Sequence, residues 1–415
     1  MKIIIVGGGF SGAMTALALA REGHQVTVYE ADTDLGGIIR DVHLPHGQFF
    51  RGCHYMNMAP CLQALWPHLN DLELTCFDHH YGSWNDLFGP VLVHHDYAQP
   101  VVPGLMGQAQ LKGDATSLWQ GSVSDYIETH ELRVAQPLAK WASRVGDIRE
   151  LAAENVIPLQ IGRVFYQNDV AEVRARKEGD NFLNKTLGLP RSLFEPPLEV
   201  QGAVLPKRGF DDYMHNLQAA LTSLGVLVVT DAPVKPVKLD DGKCGLQLRG
   251  TALEADWVVW CANPTPLVAV MTGERLQSNV TKCVYLYASV QGELPDQPIY
   301  YQTFGREHPL MRIFSYDLAG PKITVEALDE GWSQEALVDA THSVMRDLGW
   351  DAHITAASTM PEKRYSLVSM RDLSCIERFS SKVAEMGIIT GGWHHYGRDR
   401  RLADIFAQLQ AQGLM

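Results

Sequence analysis

No apolar run in this chain approaches the roughly 18 residues of a membrane-crossing helix, so no transmembrane span is expected. The apolar start is cut by three glycines after four residues, which does not read as a secretory signal. Positive charge is scarce. Against 48 Asp and Glu stand 35 Lys and Arg, for a net charge of −13. That argues against nucleic-acid binding, which needs a basic surface. It leaves open a local arginine cluster for a small anion. The seven cysteines (Cys53, Cys61, Cys76, Cys244, Cys261, Cys283 and Cys375) are odd in number and include no C-x-x-C pair. They suggest neither a disulfide framework nor a zinc site, but free thiols in a reducing cytoplasm, the expected location. Internal repeats, low-complexity tracts and a G-x-S-x-G nucleophile motif are missing too. What is present is ordinary globular composition, 46% hydrophobic and 20% charged, over 415 residues. That length suits about two to three domains.

The first twelve residues, MKIIIVGGGFSG, are the most informative. Ile3-Ile4-Ile5-Val6 is the short apolar run of a buried parallel strand. It stops at Gly7-Gly8-Gly9, and Gly12 completes G-x-G-x-x-G. The pattern then turns helical from Ala13 to Arg21. Gly7 allows a tight turn, Gly9 lets the backbone approach a pyrophosphate, and Gly12 lets the helix pack close to the strand. The helix N-terminus, through Phe10 and Ser11, offers N–H groups and a partial positive charge to phosphate. A second strand, Gln25 to Tyr29, ends at Glu30-Ala31. An acidic residue there accepts hydrogen bonds from a ribose.

The opening therefore reads β-α-β, the start of a doubly wound α/β sheet. From about 60 to 200 the pattern becomes mainly helical, with few strand signals: Ser122–His130, Ala135–Ala153 and Asp169–Lys177. Leu189 to Pro206 reads as a loop broken by four prolines, and a helix is expected from Phe210 to Leu224. Strands resume at Val226–Val229, Gly245–Leu248 and Ala255–Cys261. Lys282 to Glu326 favours antiparallel strands, and Gln334–Leu348 a helix. The end reads as a strand, Gly387–Thr390, then Gly391-Gly392-Trp393, then a helix from about Arg401 to Gln412 that includes Leu402.

Just past Glu30, Asp34-Leu35-Gly36-Gly37 resembles the extended fingerprint of FAD proteins of the amine oxidase and glutathione reductase group. The late Gly-Gly-Trp segment leading into a helix resembles the part of those proteins that holds the ribityl and isoalloxazine end of the cofactor. Four more stretches resemble flavoproteins of the UDP-galactopyranose mutase type, within the wider amine oxidase and protoporphyrinogen oxidase group. They are Gly52-Cys53-His54-Tyr55-Met56-Asn57, Leu205-Pro206-Lys207-Arg208-Gly209-Phe210, His308-Pro309-Leu310-Met311-Arg312-Ile313 and Tyr396-Gly397-Arg398-Asp399. Cys53, Leu310 and Met311 depart from the family pattern, and its two phosphate-contacting tyrosines have no secure counterpart.

The resemblance implies a discontinuous Rossmann-type FAD-binding domain (1–60, 201–275 and 366–415). It also implies a mainly helical insertion (61–200) and an antiparallel-sheet substrate region (276–365). The expected FAD contacts are Gly7, Gly9, Phe10, Ser11, Gly12, Glu30, Ala31, Gly36, Gly37, Gly392, Trp393 and Leu402. His54 and Arg312 are the catalytic candidates. By resemblance, His54 lies near the flavin and supports its reduced state; an imidazole titrates near neutral pH and can donate a hydrogen bond. By resemblance, Arg312 binds a substrate diphosphate, which its planar guanidinium fork suits.

Other residue types point less clearly. Arg163, Arg174 and Arg176 read as a solvated helix face. The pairs His79-His80, His94-His95 and His394-His395 lack metal-ligand spacing, and no metal is expected. Trp393 to Tyr396 would form either a flavin-facing wall or core. Asp372 and Glu377 carry no signature of a base. The reaction that the resemblance implies is redox-neutral: the N5 of reduced flavin attacks the anomeric carbon of a UDP-sugar and displaces UDP, and the sugar ring opens and recloses. The alternatives are an amine oxidase-like oxidase or desaturase of a small molecule, and a flavoprotein without catalysis. The expected partner is a small-molecule substrate, and a homodimer is the assembly to test.

Overall fold

The computed structural model describes residues 1–52, 54–69, 71–77, 80–85, 89–92, 101–102, 119–166, 170–188, 203–277, 279–296, 298–305, 308–393, 395 and 397–415. Strand β1 (Lys2–Val6) leads into helix α1 (Phe10–Arg21), and β2 (Gln25–Tyr29) follows. β1 pairs in parallel with β2 on one side and with Trp257–Trp260 on the other. Leu227–Val229 and Ile388–Thr390 extend this sheet to five parallel strands. Its pieces come from the beginning, the middle and the end of the chain, so the nucleotide-binding domain is discontinuous.

The alternation in β1 explains the unbroken apolar run. Ile3 and Ile5 enter one core with α1, and Ile4 and Val6 enter another on the opposite face. A parallel strand covered on both faces needs apolar residues at every position. α1 packs against the helices Phe210–Ser223 and Arg398–Ala411. Its Ala, Leu and Met residues are strong helix formers. It ends at Arg21, where Gly23 takes a φ of +82°.

A seven-stranded sheet forms the second layer system, in the order Ala352–Leu367, Asn279–Gly292, Pro321–Leu328, Leu310–Asp317, Ile299–Thr303, His80–Asn85 and Gly89–Leu92. Its pairs are antiparallel except the one joining Ile299–Thr303 to His80–Asn85. One face, with Leu286, Ile313 and Val325, is covered by the helix Gln334–Asp347. On the other face Tyr300, Phe314 and Tyr316 meet the nucleotide-binding core. Tyr285, Tyr287 and Phe304 on that face pack with the helices Val123–Ile127 and Leu132–Ala142.

Four expectations need correction. The helix expected over Ala135–Ala153 runs only over Leu132–Ala142. Beyond Ala142 the ladder tightens into i to i−3 turns, with the Arg144 N–H on the Trp141 carbonyl at 3.1 Å and the Val145 N–H on the Ala142 carbonyl at 3.0 Å. The region of few strand signals contains Leu74–Phe77, His80–Asn85 and Gly89–Leu92. His80-Tyr-Gly-Ser-Trp-Asn lacks apolar alternation, and it is a strand because Ile299–Thr303 pairs with it. The last helix starts at Arg398, three residues earlier than expected. The expected loop from Leu189 falls mostly outside the described residues, and Ala203–Pro206 at its end is a strand.

The helix Phe210–Ser223 has Gly209 at its N-cap, which has no side chain to offer. Asp41 caps it from another element. Its carboxylate accepts the N–H groups of Phe210 and Asp211, both at 3.0 Å, and the Gln48 amide at 2.7 Å. Asp41→Ala is expected to cost about 1–2 kcal/mol, the range of a lost helix cap. Urea unfolding of both proteins measures it.

Candidate cofactor and active site

The glycines of the first turn do different jobs. A Cβ on Gly7, whose φ is +96°, would lie 2.7 Å from the Ala262 backbone nitrogen. A Cβ on Gly12 would lie 2.0 Å from the Gly7 carbonyl oxygen. Both are glycine because the protein leaves no room. Gly9 differs. Its φ is −62°, and apart from its chain neighbours a Cβ there would meet no atom of the described residues within 4 Å. Among the described residues nothing demands glycine at this position, which is the cradle a pyrophosphate would use. α1 begins here without a side-chain cap, so its first N–H groups face that space.

A second glycine turn lies against the first. The Gly36 N–H donates to the Gly8 carbonyl at 2.9 Å, and Gly9 and Gly36 form an isolated parallel bridge. Gly37, at φ +60°, brings its would-be Cβ to 3.5 Å from the Gly9 Cα. Glu30 ties the end of β2 to the same loop. Its carboxylate accepts the Gly8 N–H at 2.6 Å and the Asp32 N–H at 2.9 Å. A carboxylate has about four lone-pair sites, so two remain for ribose hydroxyls. Ala31 beside it is exposed. These residues fit a dinucleotide.

Other expected contacts have structural duties. The Phe10 ring is buried and stacks on Tyr213 at 5.9 Å, so only its N–H is available to a phosphate. The Ser11 carbonyl accepts the Thr15 hydroxyl at 2.8 Å. Leu402 is fully buried in the core around α1. Gly392, at φ +60°, lies against the C-terminal helix, with its would-be Cβ 3.0 Å from the Arg401 Cα. Trp393 stacks on Phe379 at 6.3 Å, and its buried Nε1 has no hydrogen-bond partner among the described residues.

The two catalytic candidates flank one aromatic layer. His54 is 5% exposed, and its Nδ1 lies 2.7 Å from Arg398 Nη2. Arg398 also donates to the Tyr55 carbonyl at 2.9 Å. The Tyr55 ring meets Tyr300 edge-on at 6.1 Å, and Tyr300 lies under the Arg312 guanidinium at 5.7 Å.

Arg312 is fully enclosed. Nε donates to Gln302 Oε1 at 2.8 Å, Nη2 to the Pro158 carbonyl at 2.6 Å, and Nη1 faces Glu326 at 3.4 Å. A bulge between Leu310 and Arg312 sets Arg312 directly opposite Glu326. The expected diphosphate fork is therefore occupied by protein acceptors at all three nitrogens.

Register makes a polar row across this face: Ser83, Gln302, Arg312, Glu326 and Tyr285 are successive cross-strand partners. Two buried atoms of the row, Ser83 Oγ and Gln302 Nε2, have no hydrogen-bond partner among the described residues. Sequence reading passed over Ser83, Gln302 and Glu326. The usable signal was a polar residue, Gln302 or Glu326, inside the buried strands Ile299–Thr303 and Pro321–Leu328.

Among the described residues no group of three or more His, Cys, Asp or Glu is arranged for a metal. His79, His94, His95, His394, Tyr396 and Cys53 lie outside the described residues. Burial pushes the Cys261 thiol up to about 12, so it is not an activated nucleophile.

Comparison with known proteins agrees with this geometry. Residues 5–69 match the family described as NAD(P)-binding Rossmann-like domain. A structure of reduced UDP-galactopyranose mutase superposes with a TM-score of 0.68 at 12% identity, covering 100% of this chain and 96% of that one. A protein from Exiguobacterium sp. 255-15 described as a protoporphyrinogen oxidase gives 0.62 at 14%, covering 99% and 98%. Wild-type putrescine oxidase bound to putrescine gives 0.56 at 14%, covering 99% of each. At these identities the likeness is one of fold. The uncharacterized protein in the nifH2 3′ region of Methanothermococcus thermolithotrophicus is 38% identical over 84 residues, which is 20% of this chain and 72% of that protein. Over that segment, this chain belongs to the family of the nifH2 3′-region protein.

Proposed function

We propose that the dinucleotide held at the start of α1 is FAD, and that the protein is a flavin-dependent enzyme acting on a nucleotide-linked sugar as a UDP-galactopyranose mutase does. The second glycine turn carries the FAD reading. Gly36 and Gly37 lie across Gly9 and fold the chain back over the nucleotide. The N–H groups of Phe10, Ser11 and Gly12 would meet the pyrophosphate, Glu30 the ribose, and the Gly392 turn the isoalloxazine end. Bound FAD would supply a nucleophilic or hydride-accepting N5.

The polar row supports a hydroxyl-rich substrate. Arginine only donates, so Gln302 must turn Oε1 toward Arg312 and present its NH2 elsewhere. Arg312 thereby orients Gln302, and Ser83 lies beside it in register. Two buried polar atoms without partners among the described residues cost stability unless something hydrogen-bonds to them, and sugar hydroxyls are suited to that.

One observation favours an oxidase or desaturase instead. With Arg312 already engaged by three acceptors, a substrate without a diphosphate is easier to accommodate beside Tyr55, Tyr300 and Phe314. UDP-galactose added anaerobically to the protein, before and after dithionite, separates the two. The mutase reading expects binding, and ring contraction to the furanose only after reduction. No affinity at about 1 mM, a free energy near −4 kcal/mol, would overturn it. Bleaching of oxidised flavin by a small amine or alcohol, with peroxide formed in air, would establish the alternative.

A further inference from the structure

We propose that Arg398 is a positioning residue that locks His54 as the neutral tautomer carrying its proton on Nε2. Arg398 Nη2 and His54 Nδ1 are 2.7 Å apart, a full hydrogen-bond distance. A guanidinium has five N–H donors and no acceptor. Nδ1 must therefore be the acceptor. A neutral imidazole with an accepting Nδ1 has its N–H at Nε2. A proton on Nδ1 would set two donors against each other at 2.7 Å.

Both partners are held in place. His54 is 5% exposed, and its backbone N–H donates to the Gly52 carbonyl at 2.9 Å. Arg398 is the first residue of the C-terminal helix, and its other amino group is tied to the Tyr55 carbonyl at 2.9 Å. The contact joins residues 344 positions apart, so it also docks the last helix onto the segment after the β hairpin (Asp41–Leu44 and Gly47–Phe50). An arginine in the first turn of a helix is disfavoured by the helix dipole, which prefers anions there. Its placement is accounted for by the neutral acceptor opposite it. His54 then acts as a fixed hydrogen-bond donor through Nε2, and Nδ1 is not available as a base. This role toward the cofactor rests on the flavin reading above, whereas the tautomer does not.

Nitrogen NMR of protein labelled in its histidine rings tests the proposal, with His54→Gln used to identify the His54 signals. The wild type is expected to show a bare, pyridine-type Nδ1 and a protonated, pyrrole-type Nε2 at neutral pH. Arg398→Met removes the donor and is expected to give averaged or reversed signals. Arg398→Lys keeps a donor and is expected to restore the wild-type pattern in large part. If Arg398→Met does not fold, Arg398→Ala takes its place, and the wild-type spectrum alone still decides the tautomer. A protonated Nδ1 in the wild type, or signals unchanged in the donor-free variant, would overturn the proposal. Flavin content is read separately from absorbance. A chain without flavin that shows the expected tautomer keeps this inference and loses the flavin reading, and a flavin-loaded chain with the other tautomer does the reverse.

Discussion

Gly9→Val is expected to fold like the wild type and to come off purification nearly free of flavin. The backbone of Gly9 is at φ −62°, so a side chain brings no left-handed strain, and apart from its chain neighbours its Cβ would meet no atom of the described residues within 4 Å. Valine therefore costs the apo fold little beyond the weaker preference for valine than for glycine at an N-cap. The same methyl groups would stand over the uncapped start of α1, where a pyrophosphate needs the backbone close. Losing two charge-assisted hydrogen bonds at roughly 1.5 kcal/mol each weakens binding at least about a hundredfold. Gly12→Ala is the opposite control. Its Cβ would sit 2.0 Å from the Gly7 carbonyl, so that variant is expected to lose stability first. Circular dichroism and the flavin-to-protein ratio on both variants measure the two effects. Full flavin occupancy in folded Gly9→Val would place the phosphates elsewhere.

Arg312→Met is expected to be the most destabilising single change in the sheet. Arg312 and Glu326 are 1% and 0% exposed at their side chains. Removing the arginine takes an ion-pair partner away from the buried Glu326, a change that typically costs about 3–5 kcal/mol. It also frees Gln302 Oε1 and the Pro158 carbonyl. The double change Arg312→Met, Glu326→Leu removes both charges and is expected to recover most of the loss, because buried pairs often replace well with apolar residues. Urea midpoints of the wild type, the single variant and the double variant test this. A wild-type midpoint for Arg312→Met would mean that the pair is not buried in solution. If Arg312 contacted substrate directly, the single variant would instead lose affinity at unchanged stability.

The nucleotide half of the fold was legible because its chemistry is local. Ile3 to Gly12 states a strand, a turn and a helix within ten residues, and Glu30 follows one β-α-β unit later. Backbone demands at Gly7 and Gly12 can be met by no other residue, so they are written in the sequence directly. The substrate side is built from distant pieces. Ser83, Gln302, Arg312 and Glu326 become neighbours only through strand register, and register depends on pairing that no single segment encodes. A bulge beside Arg312 shifts it by one position, which decides whether it meets Glu326 or the core. His80–Asn85 escaped notice for the same reason, since its strand character comes from its partner. Arg312 looked like an anion ligand because residue type suggests chemistry, whereas only burial shows that its donors are already engaged. The Arg398–His54 contact spans most of the chain and left no local trace.

On the proposed reading, the turn from β1 into α1, closed over by Gly36 and Gly37, holds FAD without a covalent bond. Spectra of the freshly purified wild-type chain, followed by heat denaturation and chromatography of the supernatant, decide this. A yellow protein whose flavin is released completely as intact FAD is expected. A colourless chain that binds NAD and not FAD, or flavin that stays on the denatured polypeptide, would contradict it.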